Sequence, residues 1–570
     1  MKFRFAILFI FLSAAACCAL DRNAFTFTSY NLNLRIEPEQ QRLAAYGRIT
    51  LRNDSSTPQK NAALQISSTL SWRAIQSDSK ALQFVTQPYE SDIDHTGELS
   101  EAIVTLPKEV PPKGSIDLDV RYEGIIPLNA TRLTRIGTPK DIAAHTDWDQ
   151  ISLAFTAVRG VGYVVWYPVA IDAVSLSDGD SVFETIAGWK VREHGAQMTL
   201  SVVSTGAGKV YATGSPSLAI IGPADEIKSA TSTDITDLSQ SVPIFVAGNF
   251  LEQKEGDLAT VAHNSGYEAE AKSYAQALGK AVAFVSEMVK PRPLKVVQLP
   301  DASAAPFATE GLLLTPLLPN LSPNVESLLI YAVARTSVMT QQLWIREGLA
   351  HFAQVRWVEQ QKGRQAAIDY LNAHLPALLE IEKEAPTTPT DAAKLPPQAD
   401  RSLTSDMDDI YLQTKSMFVF WLLKEMLGDQ VIKSLMLMQF QAGQDNNPRY
   451  LQQLLQPGDR DLSWFFDDWV YHDRGLPDFK VASVYTRKAD SGYLVTITIE
   501  NLGGAGAEVP VTLRSEGGPI EKRLEVHGKN KASIRISTTT APLEVIVNDG
   551  SVPESDTSNN SYTIPAADVK

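Results

Sequence analysis

The side chains of this chain that could do covalent or metal chemistry are few and poorly spaced. Its eight histidines are His95, His145, His194, His263, His351, His374, His472 and His527. No two stand three to five residues apart. No helix turn or hairpin therefore sets two imidazoles on one face, the arrangement that a histidine-built zinc site needs. His351 follows Glu347 by one helical turn, and such a pair can share a metal or simply hydrogen-bond along a helix. The sequence has no Gly-x-Ser-x-Gly elbow, no phosphate loop and no dinucleotide fingerprint. No serine or cysteine has a visible catalytic partner.

The stretch that bears most on chemistry runs from Ile330 to Phe352. The spacing of Leu328, Leu329, Ala332, Val333 and Val338 predicts an amphipathic helix from Asn324 to Thr340. A second helix is expected from Leu343 to Lys362, with Ile345, Leu349 and Phe352 on one face and Gly363 at its end. Tyr331 and Arg335 lie one turn apart at the edge of the first apolar stripe, where a cleft-facing position is expected. From there the forked Arg335 guanidinium could reach Glu347 as an ion pair. An exposed arginine on a helix flank is the plain alternative.

The elements that must hold this stretch fall into three textures. From about Asp21 to Asn249, runs such as Tyr30 to Ile36, Arg48 to Asn53 and Ser115 to Tyr122 alternate polar and apolar residues as half-buried strands do. Gly, Pro, Asn and Asp clusters separate them, which predicts antiparallel strands. Gly160 to Val169 is an apolar, aromatic run expected to be a strand buried against a neighbouring domain. Around Tyr267 the pattern turns helical. Ala269 to Met288 is an expected helix, Leu294 to Leu299 a strand, Ala385 to Pro397 a proline-rich loop, and Thr414 to Leu427 a central buried helix stopped by Gly428. After Pro477 the strand pattern returns, with turns at Gly503-Gly504 and Gly517-Gly518.

The expected fold is thus multidomain α+β. It has a signal peptide over 1–20, an antiparallel β domain over 21–249, a mainly helical domain over 250–478, a small immunoglobulin-like β-sandwich over 479–550 and a frayed polar tail over 551–570.

Bulk composition excludes some classes. A formal charge of −15 argues against nucleic acid as a partner, because phosphate binding needs clustered Lys and Arg. Lys2 and Arg4, the apolar run Phe5 to Leu12 and the small residues that follow read as an export signal. No later segment is long and apolar enough to span a bilayer. The expectation is a periplasmic or secreted protein, with lipid attachment at Cys17 or Cys18 as the lesser alternative. The sequence does not specify an oligomeric state.

Four features together resemble the membrane alanyl aminopeptidase family of zinc metallopeptidases, the gluzincins. They are the domain order; Pro293 to Asp301, similar to the strand and loop entering that family's substrate edge; Trp344-Ile345-Arg346-Glu347-Gly348-Leu349-Ala350; and Asp461 to Val470, similar to a helix near the end of the catalytic domain. The resemblance implies a thermolysin-like middle domain. It also implies a His-Glu-x-x-His helix, a glutamate from the next helix, and a separate loop whose carboxylate grips a substrate's α-amine.

Laid against that pattern, the first histidine falls on Tyr331, the general base on Ala332 and the second histidine on Arg335. Only Glu347 keeps a ligand's chemistry. Ala308 stands at the amine-anchor position, with Glu310 two residues away. Tyr411 and Lys415 precede the buried helix much as a tyrosine and lysine do in relatives with a transition-state tyrosine, but at a different spacing.

The expectation is therefore a catalytically inactive pseudopeptidase, without catalytic residues, metal or cofactor. Glu347, His351, Glu310 and Tyr411 would be its candidate cleft residues. It would bind a peptide or protein, with an extended peptide adding beside the Leu294 to Leu299 strand. The alternatives are an active metallopeptidase holding zinc on Glu347, His351 and Glu310, and a structural scaffold with a closed cleft.

Overall fold

The computed structural model describes residues 20–206, 208–217, 228–383, 401–430, 432, 447–455, 460–489 and 491–565. The export signal with Cys17 and Cys18, and the loop expected from Ala385 to Pro397, fall outside the described residues. The chain is a multidomain α+β protein, with β sheets first, a mainly helical middle and β sheets again at the end.

The N-terminal part is built on an eight-stranded sheet. Phe25–Glu37 lies near its middle, and its buried positions alternate with polar ones that face solvent. The sequence predicts an antiparallel sheet, but the sheet is mixed. Phe25–Glu37 pairs antiparallel with Arg42–Asn53 but parallel with Gln197–Ser204. A parallel neighbour needs a long connection, and the excursion from Arg42 to Ala196 supplies one.

The inner face of this sheet covers the apolar run Gly160 to Val169, which is not the strand expected. Strand structure ends at Arg159, and the run continues as irregular chain inside the N-terminal core, with Tyr163 meeting Phe307 of the middle part. Its backbone is satisfied piecemeal: Gln65 N donates to Val169 O at 2.7 Å, Ser67 N to Val165 O at 2.7 Å, and the Tyr122 hydroxyl to Trp166 O at 2.9 Å.

The middle part opens on a five-stranded sheet ordered Leu251–Glu255, Ala259–His263, Leu294–Leu299, Leu312–Pro316, Phe307–Thr309. Leu294–Leu299 is its central strand, paired parallel on both sides. It has no free edge, so the expectation that a peptide adds beside it is wrong. Leu294 to Val297 pair with Ala259 to Ala262 on one side, and Lys295 to Leu299 with Leu312 to Pro316 on the other. The edge on the site side is the short strand Phe307–Thr309.

Three helices build the site. Pro323–Ser337, here the Tyr331 helix, starts on Ser322, whose side chain accepts from Val325 N, with Pro323 in its first turn. Leu343–Lys362, the Glu347 helix, ends at Gly363, where φ is +86°. Asp409–Leu427, the Lys415 helix, starts on Asp408, whose side chain accepts from Tyr411 N, and is buried along most of its length. The Glu347 helix packs between the other two. At Gly348 the approach is so close that an added Cβ would lie 2.7 Å from both Ser416 Cβ and Phe420 Cε2.

The C-terminal part is a sandwich of a three-stranded and a four-stranded sheet. It shares one hydrophobic core with the helices, pinned by Trp421 Nε1 donating to Ser551 O at 3.1 Å and Trp469 Nε1 to Gly506 O at 2.7 Å. Residues 551–565 are not a frayed tail. Ser561–Thr563 pairs with Pro542–Val547, and buried Glu554 accepts from Phe479 N at 3.0 Å and Asn560 Nδ2 at 2.9 Å. Burial pushes the Glu554 carboxyl up to about 7 despite these donors. The polar composition misled because its polar groups pair with one another inside the fold. Among the described residues no helix is long and apolar enough to cross a membrane.

The close contact at Gly348 makes a direct prediction. Gly348→Ala should lower stability by about 1–3 kcal/mol through overpacking, read as a lower chemical-denaturation midpoint with unchanged far-ultraviolet circular dichroism.

Candidate functional site

Tyr331 and Arg335, one turn apart, both face Glu347 across the junction of their helices. The Tyr331 hydroxyl donates to Glu347 Oε2 at 2.8 Å, and Arg335 Nε donates to Glu347 Oε1 at 2.7 Å. Both carboxylate oxygens thus have a partner. Arg335 Nη2 then donates to the backbone carbonyl of Gln240 at 3.0 Å, on a short turn, Leu238–Gln240, from the N-terminal part. The ion pair is buried, with side-chain exposure of 11% for Arg335 and 6% for Glu347.

Burial and charge act in opposition here. Burial alone would push the Glu347 carboxyl up, but the Arg335 charge, helped by the Tyr331 hydroxyl, holds it below the ordinary carboxylate value. Burial would likewise lower Arg335, and the facing carboxylate instead holds its guanidinium above its usual value. Tyr331 is pushed far up by burial and then by Glu347, so it stays a neutral donor.

His351 lies against Tyr331 with ring centres 4.6 Å apart and planes tilted by 35°. Its Nδ1 sits 2.8 Å from Gln354 Oε1, the geometry of an N–H donated to the amide oxygen, and its Nε2 is buried without a hydrogen-bond partner. Burial lowers its pKa, so the ring is neutral near pH 7.

These residues do not fit a zinc ion. A zinc site takes three or four lone-pair donors, whereas Glu347 is the one carboxylate here, its oxygens are engaged, and a guanidinium lies against it. A second cation, Arg346, is near enough that Arg335 adds to the effect of burial in lowering its pKa. Among the described residues no three His, Cys, Asp or Glu side chains gather in a group that could hold a metal.

The other sequence-predicted positions lie elsewhere. Glu310 pairs with Arg292 at 3.4 Å. Ala308 sits in the edge strand, and the loop before it is held by the N-terminal part. Ala305 N donates to His145 O at 2.7 Å, Trp148 Nε1 to Ala305 O at 3.0 Å, and His145 Nδ1 lies 2.5 Å from Asp301 Oδ2. Phe307 meets Tyr163 edge-on at 5.5 Å. Behind it, Arg159 is stacked between Tyr163 and Trp148, at 3.5 and 3.8 Å from the ring centres. Tyr411 is committed to a different network: its hydroxyl donates to Asp473 Oδ2 at 2.7 Å, and the fully buried Lys415 bonds Asp473 Oδ1 at 2.7 Å and Glu382 Oε1 at 2.8 Å.

Sequence reading missed Gln240 and the Trp148–Arg159–Tyr163 stack. Asp237-Leu238-Ser239 does carry a turn signal, realised as Ser239 N donating to Asp237 Oδ1 at 2.9 Å. Nothing local reveals where that turn docks. A cavity of about 420 Å³ lies nearby, bounded by Val191, His194, Leu343, Leu403 and Met407, and Tyr331, Arg335 and Glu347 do not line it.

No protein-family model and no curated protein matches the chain. Among solved structures it is similar to aminopeptidase A of Legionella pneumophila in complex with aspartic acid, at 11% identity and a TM-score of 0.58. That match covers 94% of this chain and 60% of the other, so the chain spans about three fifths of that protein's length. It is also similar to a mutant M1 zinc metallopeptidase of Deinococcus radiodurans bound to a Tyr-Ser-Ala substrate, at 14% identity, 80% and 96% coverage and a TM-score of 0.47. At these identities the likeness is one of fold, a multidomain α+β architecture shared with the Legionella aminopeptidase A.

Removing the arginine should expose what it neutralises. Arg335→Met should cost about 3–5 kcal/mol at pH 7, because it leaves a buried carboxylate unpaired. In the native protein the depressed Glu347 pKa gives stability that is present above its ordinary value of 4.5 and lost as pH falls through the lower folded value. In the variant, burial would raise that pKa, so the deficit should shrink as pH falls from 7 towards 4.5. Denaturation midpoints of both proteins at the two pH values check this.

Proposed function

We propose that this chain is an exported, catalytically inactive relative of the zinc aminopeptidases, kept as a binding or assembly protein. The observation that carries the reading is the Tyr331–Glu347–Arg335 arrangement. The residues at both histidine positions of the resemblance satisfy the one retained ligand-type residue with hydrogen bonds and a fixed positive charge. Ala332, at the position of the general base, is a buried methyl group. The amine-anchor position, Ala308, offers no carboxylate either.

Within this reading, the partner is a protein that docks on outer surfaces. A peptide held in the old groove is the weaker form of the idea. Leu294–Leu299 has both edges paired, the Gln240 turn lies on Arg335, and Thr309 in the remaining edge strand donates its hydroxyl to Val242 O at 3.1 Å. The same contacts favour a scaffold role over a working peptidase on Glu347, His351 and Glu310, since Glu310 and Glu347 each already face an arginine.

Metal analysis of the purified protein after equilibration with zinc, paired with hydrolysis assays on aminoacyl fluorogenic substrates, tests this. The expected result is well under one zinc per chain and no hydrolysis above background. About one zinc per chain, with hydrolysis that a chelator abolishes, would overturn it. A constructive version restores the letters: the Tyr331→His, Ala332→Glu, Arg335→His triple variant should take up about one zinc per chain, with Glu347 as third protein ligand. If that variant is folded yet binds no zinc, these positions do not correspond to metal-ligand positions.

A further inference from the structure

The last turn of the helix Val182–Arg192, with the residues just after it, holds the N-terminal part against the helices of the site. Lys190 Nζ reaches Asp409 at 2.9 Å, in the first turn of the Lys415 helix. Further along, Gly195 N donates to Asp237 Oδ1 at 3.1 Å, and Leu238 N donates to Ala196 O at 2.8 Å. Asp237 also accepts from Ser239 N and Ser239 Oγ. Residues 195–196 thus fix the turn whose Gln240 carbonyl meets Arg335.

Between these anchors stand Glu193 and His194. Glu193 caps the C-terminal end of the helix and is 1% exposed. Both carboxyl oxygens are fully covered and have no hydrogen-bond partner among the described residues. The nearest backbone donor, at Phe27, falls short of bonding geometry. Trp189 Nε1, one turn earlier, is buried and unpaired in the same way. The charged groups around Glu193 are engaged with other partners. Arg192 donates to Ala170 O at 2.8 Å, Arg52 pairs with Asp54 at 2.7 Å, and Asp54 adds a like charge. Tyr30 and Tyr167 face it as buried, neutral hydroxyls. A carboxylate here would lack a donor and would sit at the negative end of a helix dipole. Burial accordingly pushes the acid up to about 8.

His194 is half exposed, with Nδ1 3.2 Å from Asp237 Oδ2 and 3.3 Å from Ser239 Oγ. The bond to Asp237 raises its pKa, outweighing burial. Asp406, which pairs with Arg401, shares a cavity wall with His194, and the Arg346 charge faces Asp237 from the Glu347 helix. Both groups act in one direction. Each holds its proton more tightly in the docked fold than in water. Docking is therefore strongest below the ordinary values of 4.5 and 6.5, and weakens as pH rises through the folded values.

We propose that Glu193 and His194 form a proton-operated latch. Protonated, they hold the Gln240 turn on the Tyr331 and Glu347 helices; on losing their protons they release residues 193–196 and the turn together. Release uncovers one wall of the cavity of about 420 Å³ beside Leu343. The latch goes beyond the inactive-peptidase reading and does not depend on it.

Hydrogen–deuterium exchange of the full chain at about pH 5 and about pH 8.5, corrected for intrinsic amide rates, tests it. Protection over 193–198 and 237–241 should fall by about a hundredfold or more between the two, while the strand Gly492–Asn501 changes by less than about threefold. Glu193→Gln keeps the shape and cannot ionise. It should match the native protein at about pH 5 and retain at least about tenfold more protection at about pH 8.5. Glu193→Met is the second neutral variant if the amide disturbs folding. His194→Gln should lose protection over 237–241 already at about pH 5. Protection that does not change with pH overturns the latch. So does a fall shared equally by Gly492–Asn501, which is general destabilisation, or a fall that neither neutral variant reduces.

Discussion

A carboxylate taken out of water must be neutralised, and the way Glu347 is neutralised governs this molecule. Its position is fixed from behind by Gly348, where the Glu347 helix lies so close to the Lys415 helix that a methyl group would collide with Ser416 and Phe420. The carboxylate therefore cannot retreat. It has to be met by a cation or a set of donors from the facing Tyr331 helix. A metal would do this with lone pairs from that helix, whereas here the helix supplies one hydroxyl and one guanidinium. The two solutions exclude each other, because a guanidinium in hydrogen-bond contact with the carboxylate occupies both the charge and the space of the metal.

That constraint propagates outward. An arginine uses one edge of its fork on Glu347 and needs an acceptor for the other, and Gln240 provides a backbone carbonyl. The Gln240 side chain also donates to Gln341 O at 2.5 Å, just before the Glu347 helix begins. The N-terminal part is thus tied to both helices of the site by one residue. The loop before Phe307 is likewise held by His145 and Trp148, and Phe307 itself by Tyr163. The Tyr331 helix and this loop are thus each tied down by the same neighbouring part.

Much of this was legible in the sequence because it is local. The one-turn spacing of Tyr331 and Arg335, the glycine stops at Gly363 and Gly428, and the alternation of Tyr30 to Ile36 report helix faces, helix ends and strand faces directly. What failed was non-local. Nothing in Leu294 to Leu299 tells whether its edges are free, since pairing is decided by strands elsewhere. Gly160 to Val169 has a strand's composition, but its glycines and its enclosure by two sheets make it irregular core. Residues 551–565 looked like a tail because their polarity is satisfied inside the fold, Glu554 by Asn548, Asn560 and the distant Phe479 N. Gln240 is the sharpest case, for its contribution is a carbonyl that every residue possesses.

Replacing a buried ion pair by well-packed apolar residues is often neutral or stabilising, so stability alone gives no reason for the Arg335–Glu347 pair. What the pair supplies instead is direction. The guanidinium fork fixes the angle between the Tyr331 and Glu347 helices, and through Gln240 it fixes the N-terminal part against both. An apolar replacement would fill the volume yet leave the register of that turn unspecified. The polar cluster thus acts as a rigid joint between the two helices and the N-terminal part.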